Sequence, residues 1–272
     1  MKNKQKHELA VCGYAAVKAL AKINPHKIKR FYYTAQRAPE FGFLCKTLAE
    51  RKIPYNQVSA AAELEKLCGS VHHQGLAAMI ELPAFLPVSP AELRDWAQNR
   101  ENVLIFDNIT NAQNAGSIIR SAAFFGVRRI ILPAQTASSL ITTSAYRNAQ
   151  GGMESVYLYA VRSLPALLHD MDGKLLRLAA DVNARTSVRE IGTLCKKNRN
   201  NSGDGGTETE KAIALVLGNE EQGINESVKK ECDYSVCIPG AHGKKGEAIP
   251  DSLNVAQAAA VILYEMSAVN GR

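Results

Sequence analysis

The chain has 272 residues, 46% of them hydrophobic, and a formal net charge of +7, enough length for one large or two ordinary domains with their own cores. No run approaches the roughly 18 to 20 apolar residues of a membrane span, and residues 1–10 are basic and polar without an apolar signal core, so a cytoplasmic protein with no membrane partner is expected. Six cysteines at 12, 45, 68, 195, 232 and 237 form no Cys-x-x-Cys pair and have no His at zinc-finger spacing; free thiols are expected, with no metal site and no disulfide framework.

Charge is unevenly placed. Residues 1–85 hold 13 Lys/Arg against 6 Asp/Glu, whereas residues 86–272 hold 20 of each. A basic module on a neutral body points to a polyanion, and to nucleic acid before membrane, because no basic amphipathic helix with bulky apolar anchors accompanies it. A merely soluble basic surface is the plainer alternative.

In chain order, the first 81 residues read as a small α/β unit. Helices are expected over 15–21, 42–51 and 61–67, and strands over 28–33, 55–58 and 75–81. The cluster His72-His73-Gln74-Gly75 precedes the last strand; two adjacent His cannot both face one metal from a strand, so loop hydrogen bonding is expected there. Pro83, Pro87 and Pro90 mark an extended linker. The expected divisions are therefore 1–85, a linker and lead-in helix over 86–97 that carries the only Trp, Trp96, and a second domain over 98–272.

From Val103 the rhythm changes to strands alternating with helical stretches. Strands are expected over 103–106, 129–132, 155–160, 176–182, 212–217 and 234–238, with a helix over 115–125. That alternation implies a mainly parallel sheet with helices on both faces and ligands at the carboxyl ends of the strands. Residues 196–206 have no apolar side chain and three glycines, and read as a surface insertion.

Three loops fall at strand ends. The first carries Asn114, a candidate helix cap, then Gly116, which permits close approach, then Arg120. The second is Leu217-Gly218-Asn219-Glu220-Glu221-Gln222-Gly223. Its glycines expose backbone amides, and its carboxylates argue against a phosphate ligand and for a cationic or hydroxylated one. The third begins at Ile238-Pro239-Gly240 and ends at Asp251-Ser252-Leu253-Asn254, where Asp251 and Ser252 are candidate caps for a small-residue helix with apolar residues on nearly every face. Neither a Gly-x-Gly-x-x-Gly loop nor a P-loop is present, which removes support for dinucleotide and P-loop chemistry.

Taken in order, Asn114-Ala-Gly-Ser-Ile-Ile-Arg120, Gly218-Asn-Glu220 with Gly223, and Ile238-Pro239 with Ser252-Leu-Asn254-Val resemble the three motifs of the SpoU (TrmH-like) RNA ribose 2'-O-methyltransferases, of the SPOUT class. The resemblance covers about residues 100–268. The first third, from Val11-Cys-Gly-Tyr14 to His73-Gln74-Gly75-Leu76, resembles the ribosomal-protein-L30-like substrate-binding domain found before the catalytic domain in several members. The resemblance implies a C-terminal trefoil knot, S-adenosylmethionine as methyl donor, a homodimer and an RNA substrate, ribosomal before transfer RNA. It also implies catalytic roles for Arg120, Asn114, Glu220, Ser252 and Asn254, and donor binding by Leu217, Gly218, Asn219, Gly223, Ile238, Pro239 and Leu253. A guanidinium does not give up its proton in proteins, so Arg120 is expected as a phosphate clamp and electrostatic stabiliser, not as the base. The chain departs from the family pattern in the 196–206 insertion and in the long 240–251 loop with Lys244, Lys245 and Glu247. A catalytically weak RNA-binding or ribosome-assembly factor of the same fold is the competing expectation.

Overall fold

A computed structural model describes residues 2–3, 7–199, 211–240, 250 and 252–269. Among the described residues the strands are β1 (Lys2–Asn3), β2 (Glu8–Cys12), β3 (Ile28–Tyr33), β4 (Tyr55–Gln57), β5 (Leu76–Glu81), β6 (Val103–Phe106), β7 (Arg129–Pro133), β8 (Tyr157–Val161), β9 (Leu176–Ala180), β10 (Thr186–Ser187), β11 (Ile213–Leu217) and β12 (Tyr234–Cys237). The helices are α1 (Tyr14–Ile23), α2 (Ala38–Glu50), α3 (Ala61–Cys68), α4 (Pro90–Gln98), α5 (Ala112–Phe124), α6 (Ala134–Leu140), α7 (Thr143–Ala149), α8 (Leu164–Asp170), α9 (Ile191–Arg199), α10 (Glu226–Lys229) and α11 (Val255–Val269). Packing groups the chain into two compact units. One comprises Met1–Ala84, Asn111–Arg120 and Ser138–Ser155; the other comprises Phe85–Thr110, Ser121–Ala137 and Val156–Arg272.

The first unit is built on a five-stranded sheet of order β1-β2-β5-β3-β4, antiparallel except where β3 meets β4. β2 goes beyond the expected strands: Glu-Leu-Ala-Val-Cys is too short and too evenly apolar for its periodicity to declare itself. In the fold all five residues are buried, with Ala10 paired to Met79 and α7 packed on the strand. Glu8 lies opposite Glu81, a repulsive pair on its own. Two neighbours on β3 offset it, Arg30 bonding Glu8 and Lys29 reaching Glu81 at 2.7 Å. The helix expected from residue 42 begins at Ala38, with a proline in its first turn, where the missing amide costs nothing. The His72–Gln74 cluster does bond within its loop, His73 Nδ1 accepting from the Gly75 amide at 3.0 Å, and it ties to the residue after β2, His73 O accepting from Gly13 N at 3.2 Å.

The second unit carries a seven-stranded sheet of order β10-β12-β9-β11-β6-β7-β8, parallel throughout. β6 and β11 are buried along their whole length, as apolar runs covered on both faces must be. The core beside them gathers Trp96, Ile131, Leu168 and Val216, and Trp96 meets Tyr159 edge to face at 5.1 Å. Helix α4 opens on a capping box, Ser89 Oγ accepting from Glu92 N at 3.2 Å while the Glu92 carboxylate accepts from Ser89 N at 2.9 Å.

Several expected boundaries move. The strand expected from 155 begins at Tyr157, because Gly152–Ser155 forms a 3-10 turn. Residues 134–149 form α6 and α7, two short helices whose small, hydroxyl-rich sequences carry no strong apolar period. Lys196 lies in α9, so the insertion starts later than expected; residues 200–206 lie outside the described residues. The cysteines are free thiols, and no described helix is long and apolar enough to cross a membrane.

Candidate functional site

Parallel pairing sends the segments after β6, β11 and β12 out of the same carboxyl edge of the seven-stranded sheet. β11 runs beside β6, with Leu217 opposite Phe106, and both β11 and β12 flank β9. The segment after β11, residues 218–223, closes on itself. Asn219 and Gly223 exchange two backbone hydrogen bonds of 3.0 Å, and Asn219 Oδ1 accepts from the amides of Glu221 at 2.8 Å and Gln222 at 3.1 Å. A Cβ on Gly218 would sit 2.4 Å from the Gly223 carbonyl carbon, so only glycine lets this turn close.

The turn is held from below by residues to which the sequence pattern assigns no role. Asp107, 2% exposed, accepts from Asn225 N at 2.6 Å and from Asn225 Nδ2 at 2.8 Å, while its own amide donates to Leu217 O at 2.8 Å. Asn108, with φ at +56°, offers its carbonyl to Asn219 Nδ2 at 3.0 Å. The available signal was an acid directly after a fully apolar strand: a buried carboxylate must find donors, and a loop end supplies them. Nearby on the same edge, Asp181 follows β9 and pairs with Lys229. Burial pushes its carboxyl upward, but the Lys229 contact and the Asn183 amide outweigh that and hold it below the ordinary aspartate value.

The third segment is more open. Ile238 is half-buried and Pro239 exposed; residues 241–249 and Asp251 lie outside the described residues, Lys244, Lys245 and Glu247 among them. Ser252, Leu253 and Asn254 are all exposed, Leu253 by 49%. The cap of α11 is Asn254, not Ser252: the helix starts at Val255, and Asn254 Oδ1 accepts from Ala256 N at 2.9 Å. Val255, Ala259, Ile262, Leu263 and Met266 face the core, while Val261 and Tyr264 are 37% and 60% exposed.

Asn114 and Arg120 belong to the first unit, on α5. That helix begins at Ala112 and is capped by Asn111, whose Oδ1 accepts from Gln113 N at 2.8 Å and Asn114 N at 3.3 Å; Asn114 itself lies in the first turn. Gly116 is buried where α5 meets α7, and a Cβ there would come within 2.3 Å of Ala145 O. The close approach its sequence position suggested is to backbone. Arg120 is exposed, with no ion-pair partner among the described residues.

The fold and these loops define a class: an α/β domain with a wholly parallel sheet, its polar groups concentrated at one carboxyl edge, accompanied by a smaller mixed-sheet unit. Residues 101–264 match the SpoU rRNA Methylase family, and residues 10–86 match the domain described as RNA 2'-O ribose methyltransferase substrate binding. The chain belongs to the SpoU methylase family. It is 28% identical over 261 residues to the 23S rRNA (guanosine-2'-O-)-methyltransferase RlmB of Acinetobacter baylyi, covering 93% of this chain and 94% of that one. It is 29% identical over 209 residues to an uncharacterized tRNA/rRNA methyltransferase of Mycobacterium avium, covering 76% of this chain and 60% of the relative's length. The fold is that of the SpoU methyltransferase AviRb from Streptomyces viridochromogenes, solved in complex with AdoMet: TM-score 0.69 at 21% identity, over 98% of this chain and 92% of that one.

Proposed function

We propose that the protein transfers a methyl group from S-adenosylmethionine to a ribose 2'-hydroxyl of RNA, with ribosomal RNA as the substrate and the cytoplasm as its place of work. The observation that carries this reading is the braced, glycine-closed turn of residues 218–223 at the carboxyl edge of the sheet, in a chain whose residues 101–264 match a family of rRNA methylases. The donor set fits the cofactor. It offers backbone groups, the Gln222 amide and the carboxylates of Glu220 and Glu221, with no basic side chain in the turn, which suits a sulfonium cation and ribose hydroxyls better than a phosphate. Leu217, Gly218, Asn219, Gly223, Ile238, Pro239 and Leu253 are the residues assigned to hold it. The bound cofactor supplies an electrophilic methyl group on a sulfonium centre.

The chain's own residues position and stabilise. Arg120 clamps a phosphate beside the target ribose, lowering the cost of negative charge on the 2'-oxygen. Asn114, Glu220, Ser252 and Asn254 orient the ribose by hydrogen bonds, so that attack begins from an aligned geometry. The 2'-hydroxyl proton leaves to water or to a substrate phosphate oxygen. The excess charge of residues 1–85, with Tyr14 flanked by Lys18 and Arg37 at 4.9 Å each, supports docking of RNA on the first unit. The exposed apolar row of Leu253, Val261 and Tyr264, with Phe125 against Tyr264 at 6.3 Å and Phe124 83% exposed, supports a second copy as its cover. A C-terminal trefoil knot, in which the second and third motif loops cross, belongs to the same proposal.

Calorimetric titration with S-adenosylmethionine, followed by incubation with labelled donor and ribosomal RNA, tests this. Saturable binding and a methylated position that resists alkaline cleavage are expected. Absence of donor binding, or a label recovered on the base, would sink the reading.

A further inference from the structure

The first unit contains a groove of about 300 Å³ whose lining includes Cys68, Ser70, Thr142, Ser144 and Arg147, with no acidic residue among the lining residues. Arg147 distinguishes it. Among the described residues, five arginines are not fully exposed: Arg30, Arg37, Arg129, Arg147 and Arg177. Four of them pair with carboxylates, Arg30 with Glu8, Arg37 with Glu40, Arg129 with Glu101, and Arg177 with Asp172 and Asp233. Arg147 has no carboxylate partner among the described residues, although a partly desolvated guanidinium ordinarily requires an anion.

Its placement is fixed from two sides. Nη1 donates to Ser70 Oγ at 2.5 Å, and Ser70 Oγ is itself held by the His72 amide at 3.2 Å. The stem lies against Gly13, where a Cβ would stand 3.6 Å from Arg147 Cγ. One donor of the five is thereby used, and the rest of the planar fork remains for a ligand. Thr142 precedes α7 without capping it by its side chain, which leaves a second hydroxyl for the groove.

We propose that this groove binds a phosphodiester of the substrate RNA, with Arg147 as its bidentate anchor and Ser70 as the residue that positions Arg147. The inference rests on the RNA reading above and adds a contact that neither the methyl-donor loops nor the basic surface accounts for. A fork with several unpaired donors, hydroxyls beside it and no acid among the groove's lining residues suits the non-bridging oxygens of a phosphate.

The test is RNA binding to a ribosomal RNA fragment across a salt series, with donor titration and thermal melting as controls. Arg147→Met is expected to weaken RNA binding about tenfold and to lower the salt slope by about one phosphate, with donor affinity unchanged. Arg147→Lys should restore the slope but only part of the affinity, since it returns the charge without the fork. Ser70→Ala should fall between wild type and Arg147→Met, with the slope kept. If folded Arg147→Met or Arg147→Lys protein bound RNA with wild-type affinity and slope, the groove assignment would fail while the RNA reading stood. A wild-type protein that binds donor but no RNA would overturn both. Heat from millimolar inorganic phosphate that disappears in Arg147→Met, with RNA affinity unaffected by that substitution, would make this a small-anion pocket and overturn the RNA assignment.

Discussion

The two sheets solve the problem of presenting polar groups in opposite ways. In the seven-stranded sheet every pairing is parallel, so successive loops leave from one edge, and Asp107, Asn108, Asn219 and Asn225 lace two of them into a single rigid rim. In the five-stranded sheet the pairing is mostly antiparallel, loops leave at both ends, and the unit's excess positive charge is spread along helices and strand ends. The first arrangement concentrates a few fixed donors and acceptors, as a small cofactor needs; the second presents a broad field, as a polyanion needs. The contrast separates two kinds of recognition within one chain, and substitutions in each unit should register on different ligands.

The largest expected effect is on turnover. Arg120→Ala should slow methyl transfer by roughly a hundredfold to a thousandfold, the cost of losing one preorganised charge donor, while donor affinity changes less than about twofold. Single-turnover rates alongside calorimetry check it, and Arg120→Lys should remain impaired because lysine lacks the fork. A glycine pair comes next. Gly218→Ala places a Cβ 2.4 Å from backbone and should reduce donor affinity at least about tenfold, with RNA affinity intact. Gly75→Ala, at φ +80° and 2.6 Å from Thr34 Oγ1, should lower the melting temperature and RNA affinity but not donor affinity. Should both variants lose donor binding, the division of labour between the units would be wrong.

A smaller effect is predicted for Lys18→Gln combined with Lys22→Gln, which should lower the salt slope of RNA binding by at most about 1.8, or about 0.9 for each phosphate no longer neutralised, and leave the donor isotherm unchanged. Smallest is a pH effect in the second unit. The Asp181 carboxyl is held below its ordinary value of 3.8 by Lys229 and the Asn183 amide, so the stability it contributes is present above that value and is lost as pH falls through the lower folded value. Denaturant melts between neutral pH and pH about 3 should show Asp181→Asn less stable at neutrality, with the difference shrinking in acid. A constant difference at all pH values would assign the effect to packing instead.

Much of the second unit was legible in the sequence. The run at Val103–Phe106 and the strands after it announce themselves because a parallel strand buried on both faces must be apolar throughout. The turn at residues 218–223 was visible from its glycines. Less legible were α6 and α7, whose small polar residues gain helicity from packing more than from pattern, and β2, which is a strand only because β5 and α7 lie against it. Asn111 caps α5 in place of the expected Asn114, and among the candidates before α11 it is Asn254, not Ser252, that caps the helix. Several Asn and Ser stand close together at each place, and only the backbone dihedrals choose among them.

By itself, then, the sequence determined the parallel α/β class, the basic first third, the order of the three loops and the family they resemble, because burial periodicity, charge and motif order are local properties of the chain. Only the tertiary structure decided that Asp107 braces the 218–223 turn, that Gly116 meets the backbone of Ala145, that α11 leaves one apolar face exposed, and that Arg147 stands beside hydroxyls with no carboxylate partner among the described residues. These are relations between residues up to 118 positions apart, and no local pattern specifies which donor a buried carboxylate finds, or which arginine is left without a carboxylate among the described residues.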